Sequence, residues 1–364
     1  MKPFITPIYI PLVFFVVACH CPENENIDAR DLDKNIEHVA SSSRQWTGIA
    51  VSSTGRLFAS YPNLSDDHTY TVVELVDSTS VKPYPSLAWN SDIDEAKSEN
   101  RFVAVQSIFI DENDFLWVLD AGNIQRNGEY QGVVDGGAKL VKIDLGTNEV
   151  VRKIVFSAPV VKLLSYLNDV RIDEDKWAYI TDSNEGALIV VDLKTGDARR
   201  VLDNDPRTKS ENRVIIIDNE PYRDQNGKYP VVHANGLALT PDKTELYWRA
   251  LTGTSLYKIN TSWLQQAATD EKIGANVITV ASYLPPSDGI IFAPDNKLYF
   301  TSPEDHGIRV YDKDHGSRLV KKSPDFQWPA SVSMGPNGYL YVSTSQRNIA
   351  HPTTPYRILR FRVL

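Results

Sequence analysis

The chain has 364 residues, 42% of them hydrophobic, and carries 38 Lys plus Arg against 47 Asp plus Glu, a net charge of −9. That length supplies apolar residues for a large core, and the negative balance opposes polyanionic partners, so nucleic acid is excluded as a target. Seven Trp, 17 Tyr and 12 Phe, with 21 Pro and 19 Gly, suit short strands punctuated by turns rather than a helical bundle.

At the N-terminus, Phe4 to Ala18 is apolar behind Lys2 and is interrupted by Pro7 and Pro11. It is shorter than the roughly 20 residues that span a bilayer as a helix, so residues 1–19 read as an export signal. The run ends Val16-Val-Ala-Cys19, similar to the lipobox of bacterial lipoproteins, which makes Cys19 the candidate lipidation site. An ordinary signal peptide that happens to carry a cysteine is the other reading. Such an anchor would be the chain's one contact with a membrane, and the protein is expected to be extracellular or periplasmic. Cys21, the other cysteine, sits too close along the chain for a comfortable disulfide. The polar stretch 20–40 reads as a tether to a domain over 41–364.

Six segments of that domain share one pattern: a small or polar start, alternating apolar positions, an acidic or Gly-bearing turn, and an aromatic-rich return. They begin at Gly48, Ser107, Asp169, Gly236, Gly289 and Ser331, and Ser107-Ile-Phe-Ile-Asp-Glu-Asn-Asp-Phe-Leu-Trp-Val-Leu-Asp is representative. Each reads as a hairpin, and several are followed by two further strands, such as Ala187-Leu-Ile-Val-Val-Asp-Leu and Ala198-Arg-Arg-Val-Leu. Four antiparallel strands per repeat, six times over, predict an all-β six-bladed propeller, with a seventh, degenerate blade as the other count. No Gly-His…Trp-Asp signature marks a WD40 array, and the final run Tyr356-Arg-Ile-Leu-Arg-Phe-Arg-Val-Leu is placed in the last blade. The longest insertion, Asp203 to Pro230, joins repeats three and four on the face where the hairpins start. The polar stretch Ser91 to Asn100 lies at the equivalent place before repeat two. Either could rim a pocket or lie as a solvated surface loop.

The residue before each hairpin should approach the central axis. These are Thr47, Gln106, Asn168, Asn235, Asp288 and Ala330. Five of the six can hydrogen-bond, and Asp169 adds a carboxylate one position on. Converging oxygens suit a hard cation such as Ca²⁺; the same side chains suit clasps between blades and channel water. Asp120 and Asp182, at second-strand ends before Gly or Ser, read as turn caps. His233 stands beside the ring, either as a ligand-contacting general base or as a half-buried structural histidine. Nucleophile-elbow, zinc-protease, Walker and dinucleotide motifs are absent from the sequence.

Phe115-Leu-Trp-Val-Leu-Asp-Ala-Gly, Tyr166-Leu-Asn-Asp-Val-Arg-Ile-Asp, Ala178-Tyr-Ile-Thr-Asp-Ser and Leu251-Thr-Gly-Thr-Ser-Leu-Tyr resemble, in order, the signature of the major royal jelly protein/Yellow family. The resemblance runs from about Gln45 to the C-terminus and implies a six-bladed propeller and secretion. Its members are functionally scattered among dopachrome-converting factors, binders of small amines, and nutrient or signalling proteins. More distantly, Asn168-Asp169-Val, Asn235-Gly-Leu-Ala and Ser287-Asp288-Gly resemble motifs of gluconolactonase/regucalcin propellers. That likeness implies Asn235 and Asp288 as metal ligands, with Asn168 and Asp169 contacting metal or substrate. Thr47 stands where those enzymes place a metal-binding Glu. The expected function is capture of a small polar ligand in the axial pocket by Thr47, Gln106, Asn168, Asn235 and His233. The alternatives are a metal-dependent lactonase or esterase, with a divalent cation at Asn168, Asn235 and Asp288 and Asp169 as its base, and a cell-surface interaction protein.

Overall fold

The computed structural model describes residues 32–64, 69–91, 95–174 and 176–363. The expected export signal and Cys19 lie outside the described residues.

Six four-stranded antiparallel sheets stand around an axis. Their innermost strands are Ile49–Val51, Val105–Ile110, Leu167–Asp173, Ala234–Leu239, Ile290–Phe292 and Pro329–Met334, each touching the next around the ring. In blades one to five the strands run from the axis outward in chain order, and no seventh blade occurs among the described residues. Blade six is different. After Pro329–Met334, Tyr339–Thr344 and Tyr356–Arg362, its outermost strand is Glu37–Ser42 from the other end of the chain. The boundary expected between residues 40 and 41 therefore falls inside a strand. The physical reason is edge closure, since the N-terminal segment satisfies the backbone of Tyr356–Arg362 that would otherwise lie open. Arg360 fixes the junction through an ion pair with Glu37 at 2.7 Å, and Tyr339 Oη donates to Glu37 at 3.0 Å. Those bonds hold the Glu37 carboxyl below its ordinary range.

The core is divided among the seams. Leu119 and Leu140 of blade two meet Val170 and Ile180 of blade three, Leu188 of blade three meets Trp248 of blade four, and Ile308 of blade five meets Leu340 of blade six. Every seam carries its own buried apolar cluster, as propeller packing requires when flat blades share faces. Asp120 and Asp182 sit at second-strand ends and accept from the backbone N–H of Gly122 and of Asn184 and Glu185, which fits turn caps.

The 203–230 insertion crosses the face where the innermost strands begin. Arg213 pairs with Glu304 of blade five at 3.1 Å. Ile215 and Ile217 bury against Trp328 and Leu251, and Asn226 Nδ2 donates to Asn127 O beside blade two at 3.1 Å. Of the Ser91–Asn100 stretch, residues 98–100 instead pack beside blade two, with Ser98 donating to the backbone of Asp135, and these three do not line the axial cavity.

Candidate functional site

Four of the six ring residues reach the axis because the strands that carry them are bulged, while Thr47 and Asp288 stand just before the regular strands Ile49–Val51 and Ile290–Phe292. In blade two Val105 pairs with Asp120 and Ser107 with Leu119, leaving Gln106 as an extra residue. Asn235 is the extra residue in blade four, and Asn168 with Asp169 and Ala330 with Ser331 fall in the corresponding irregularities of blades three and six. A bulge re-aims its unpaired residue, here toward the axis. Second-strand hydroxyls take up the displaced N–H groups: Ser60 for Gly48, Thr181 for Asp169, Thr301 for Asp288, and Ser343 for Ser331, all at 3.0 to 3.1 Å. Glycine after the ring position lets the blades close up, because a Cβ on Gly289 would stand 2.5 Å from Ala330 O.

The ring side chains then clasp neighbouring blades. Thr47 Oγ1 donates to Gln106 O at 3.1 Å, Asn168 Nδ2 to Asn235 O at 3.3 Å, and Asn235 Nδ2 to Asp288 O at 2.9 Å. Each bond runs from a ring position to the carbonyl of the same position one blade on. Asn168, Asn235 and Asp288 thus converge, and Gln106 Oε1 accepts from Tyr166 Oη at 2.9 Å.

Asp288 is the one carboxylate among the six ring residues, and its oxygens are engaged. Oδ1 accepts from Asn235 Nδ2 at 3.0 Å and Oδ2 from Trp328 Nε1 at 2.9 Å. Burial pushes its pKa up, while Arg347 pulls it down. Among the described residues no three His, Cys, Asp or Glu side chains gather as a metal cluster. Two N–H donors and a guanidinium around a single carboxylate, with Thr47 replacing an acid, do not fit a divalent cation, which needs several free oxygens.

Arg347 is the residue that sequence reasoning missed. Protein surrounds its side chain on every side, yet solvent reaches much of it, as for a group standing in an open well. Burial opposes its charge, but Tyr222, Asp288, Tyr130 and Tyr166 outweigh that and hold its pKa above the ordinary value. Its guanidinium lies 5.8 Å from the Trp328 ring, within cation–π range. Tyr222 of the insertion packs edge-on to Trp328 at 4.9 Å, and Tyr130 of the Asn123–Val133 hairpin packs on Tyr166 at 4.9 Å. Burial raises the Tyr130 phenol to about 12, so these rings stay neutral beside the cation. Thr47, Gln106, Asn168, Asp288 and Arg347 line a cavity of 40 Å³. That is room for a few waters at most; the arginine fills much of the well.

Two other expected site residues are placed differently. Asp169 is a plug. Its Oδ1 accepts from Arg171 Nη1 at 2.7 Å, Ser107 Oγ at 3.1 Å and Val170 N at 2.9 Å, and its Oδ2 from Leu237 N at 3.1 Å. A carboxylate so engaged is a poor base for water, although burial raises its pKa against the pull of Arg171. His233 does not line the cavity. Its Nδ1 accepts from Ser210 N at 2.9 Å, pinning the start of the insertion, which is a structural role. Burial, then Lys209, lowers its pKa from 6.5 to about 4. Between those values the unfolded chain binds more protons than the folded one, so stability falls as pH drops from about 6.5 toward 4. Gln in place of His233 is expected to flatten that part of the stability–pH curve, measured by urea unfolding at pH 7 and pH 5.

A family model described as Major royal jelly protein matches residues 103–364. The chain is 26% identical over 192 residues to Major royal jelly protein 1 of Apis mellifera, covering 50% of this chain and 41% of that protein. It is 24% identical over 258 residues to the Yellow-related salivary protein LJM111 of Lutzomyia longipalpis, covering 67% of this chain and 63% of that one. The chain therefore spans less than two thirds of the length of these relatives. Among solved structures it resembles the gluconolactonase XC5397 of Xanthomonas campestris, with a TM-score of 0.55, 13% identity, and coverage of 90% of this chain and 89% of that one. A luciferin-regenerating enzyme gives a TM-score of 0.53 at 14% identity, covering 90% of this chain and 95% of that one. At such identities the likeness is one of fold. With its propeller closed by Glu37–Ser42 and the family match running through the last five blades, this chain belongs to the major royal jelly protein family.

Proposed function

We propose that this chain is an exported propeller that binds a small polar ligand in its axial well without turning it over. The observation that carries the reading is Arg347: a permanently charged guanidinium standing in a solvent-open well walled by Tyr130, Tyr166, Tyr222 and Trp328. The one ring carboxylate near it is already held by Trp328 and Asn235. A ligand carboxylate or carbonyl accepts from the solvent-reached side of the guanidinium, outside the 40 Å³ cavity, and a flat body lies against the half-buried Tyr222. Export is supported by relatives whose names place them in royal jelly and in saliva. The two bases expected beside the ring are engaged, Asp169 with Arg171 and His233 with Ser210.

Calorimetric titration of the chelator-treated protein separates this reading from the metal-dependent one. A small aromatic carboxylate such as 4-hydroxybenzoate is expected to bind, and Ca²⁺ to give no heat that disappears in Asp288→Ala. Ca²⁺ binding at one site, lost in that variant, would overturn the assignment.

A further inference from the structure

Blade six turns into the axial well through two residues with left-handed backbones. Trp328, which is fully buried, has φ +50°, and Gln346, 3% exposed, has φ +49°. Neither is a glycine, and a bulky side chain in that region is strained. The two are held back to back, since Ser345 N donates to Trp328 O at 3.0 Å and Gln346 N to Gln327 O at 3.1 Å. Backbone strain persists only where the surrounding structure holds it, and it gathers at sites that use it.

Blade two makes the corresponding turn without that strain. Ala121 N donates to Ala104 O at 2.9 Å, as Ser345 N does to Trp328 O, so Gly122 stands where blade six has Gln346. Gly122 takes φ +63° with no Cβ to clash. The residue after it, Asn123, is buried and donates to Ser165 O at 3.0 Å, whereas the residue after Gln346 is Arg347. A glycine at 346 would therefore serve the turn, and what glutamine adds is its side chain. Nε2 donates to Thr354 O at 3.2 Å and to Pro355 O at 2.9 Å, closing the neck of a loop whose residues 350–355 are all exposed. Ile349 N donates to Gln346 O at 2.9 Å, so Arg347 is the second residue of a turn rooted on Gln346.

We infer that Gln346 is a positioning residue for the axial well: its left-handed backbone and its clasp on the loop neck hold the Arg347 guanidinium beside Trp328. The inference rests on the reading of that well as the ligand site and adds what sets its arginine. Without the clasp the loop samples other conformations, and affinity falls in proportion to the fraction of molecules that keep Arg347 in the well.

Calorimetric titration of 4-hydroxybenzoate into the wild type, Gln346→Gly, Arg347→Ala and the double variant tests this. Gln346→Gly keeps the left-handed turn and removes the clasp, and is expected to weaken binding about fivefold, as when Arg347 keeps its place about a fifth of the time. With Arg347 already replaced by alanine, the glycine is expected to cost nothing further, because the residue it positions is gone. A glutamine that merely supported the fold would cost the same in both backgrounds. Peptide mass spectrometry of phenylglyoxal labelling gives a readout that needs no ligand. The labelling rate at Arg347, relative to Arg152 on the outermost strand of blade two, should rise severalfold in Gln346→Gly. Gln346→Asn tolerates a left-handed backbone but is a methylene too short for the neck, so it should behave as Gln346→Gly and replaces it if the glycine variant does not fold. Unchanged affinity in Gln346→Gly, an equal loss in both backgrounds, or an unchanged labelling ratio overturns the proposal. If 4-hydroxybenzoate does not bind the wild type, the ligand reading of the well falls by itself, and the labelling ratio still decides whether Gln346 sets Arg347.

Discussion

Replacing Arg347 by alanine is expected to weaken binding of an aromatic carboxylate in the axial well by about 10- to 150-fold, with little change in stability. A hydrogen bond to a charged group contributes about 1.5–3 kcal/mol, and this is the span of affinity it converts to. The stability expectation follows from the surroundings. Solvent already reaches the side chain, so its loss enlarges an open well rather than leaving a closed cavity, and Asp288 keeps its bonds from Trp328 and Asn235. Arg347→Lys should retain part of the affinity, because an ammonium supplies the charge but not the planar fork that pairs with a carboxylate or stacks on Trp328. Calorimetry on the three proteins, with thermal unfolding in parallel, gives both numbers. Equal affinity in wild type and Arg347→Ala would remove the arginine from the site and the proposed function with it.

The fold was legible because its determinants repeat. Six hairpins with the same polar start and aromatic return announce six equivalent blades, and alignment at their first residue finds the ring positions because the bulges recur there. Ring closure was less legible. Glu37–Ser42 reads Glu-His-Val-Ala-Ser-Ser, too short and polar to announce a strand, and its pairing with Tyr356–Arg362 is set by the open edge rather than by its own propensity. Arg347 escaped for a related reason. It follows the second strand of blade six in a loop without strand pattern, and the hairpin alignment counts residues before the first strand. The polar residues at second-strand ends, Asp120 and Asp182, read as turn caps, were the signal that could have reached it had the same position been followed past Thr344 in the last blade. Asp169 and His233 were legible as neighbours of the ring but not as spent groups. Their partners, Arg171 and the Ser210 N–H, act through side-chain orientation and through an insertion whose path no periodicity encodes.

The largest loss of stability is expected from Asp120→Ala. Asp120 and Lys139 are both fully buried on blade two, paired at 2.8 Å, with Lys139 Nζ also donating to Gly137 O at 2.8 Å. Asp120 further accepts from Val103 N and Ala104 N at 2.8 Å and from Gly122 N at 3.0 Å, so one carboxylate ties the entry to the innermost strand, the exit of the second strand and the start of the third. Burial already lowers the Lys139 pKa, with Asp120 the main opposing influence. Removing the carboxylate leaves a buried cation without its partner, which costs about 3–5 kcal/mol, and three backbone donors lose their acceptor. Denaturant unfolding of Asp120→Ala is expected to show that loss. Asp120→Asn combined with Lys139→Met should recover part of it, because the amide oxygen still meets backbone donors and the charge that needed compensation is gone. A double variant no more stable than Asp120→Ala would mean that the cost lies in the backbone contacts rather than in the orphaned lysine. A single variant within about 1 kcal/mol of wild type would mean that water reaches this corner of blade two and the pair is not isolated from solvent.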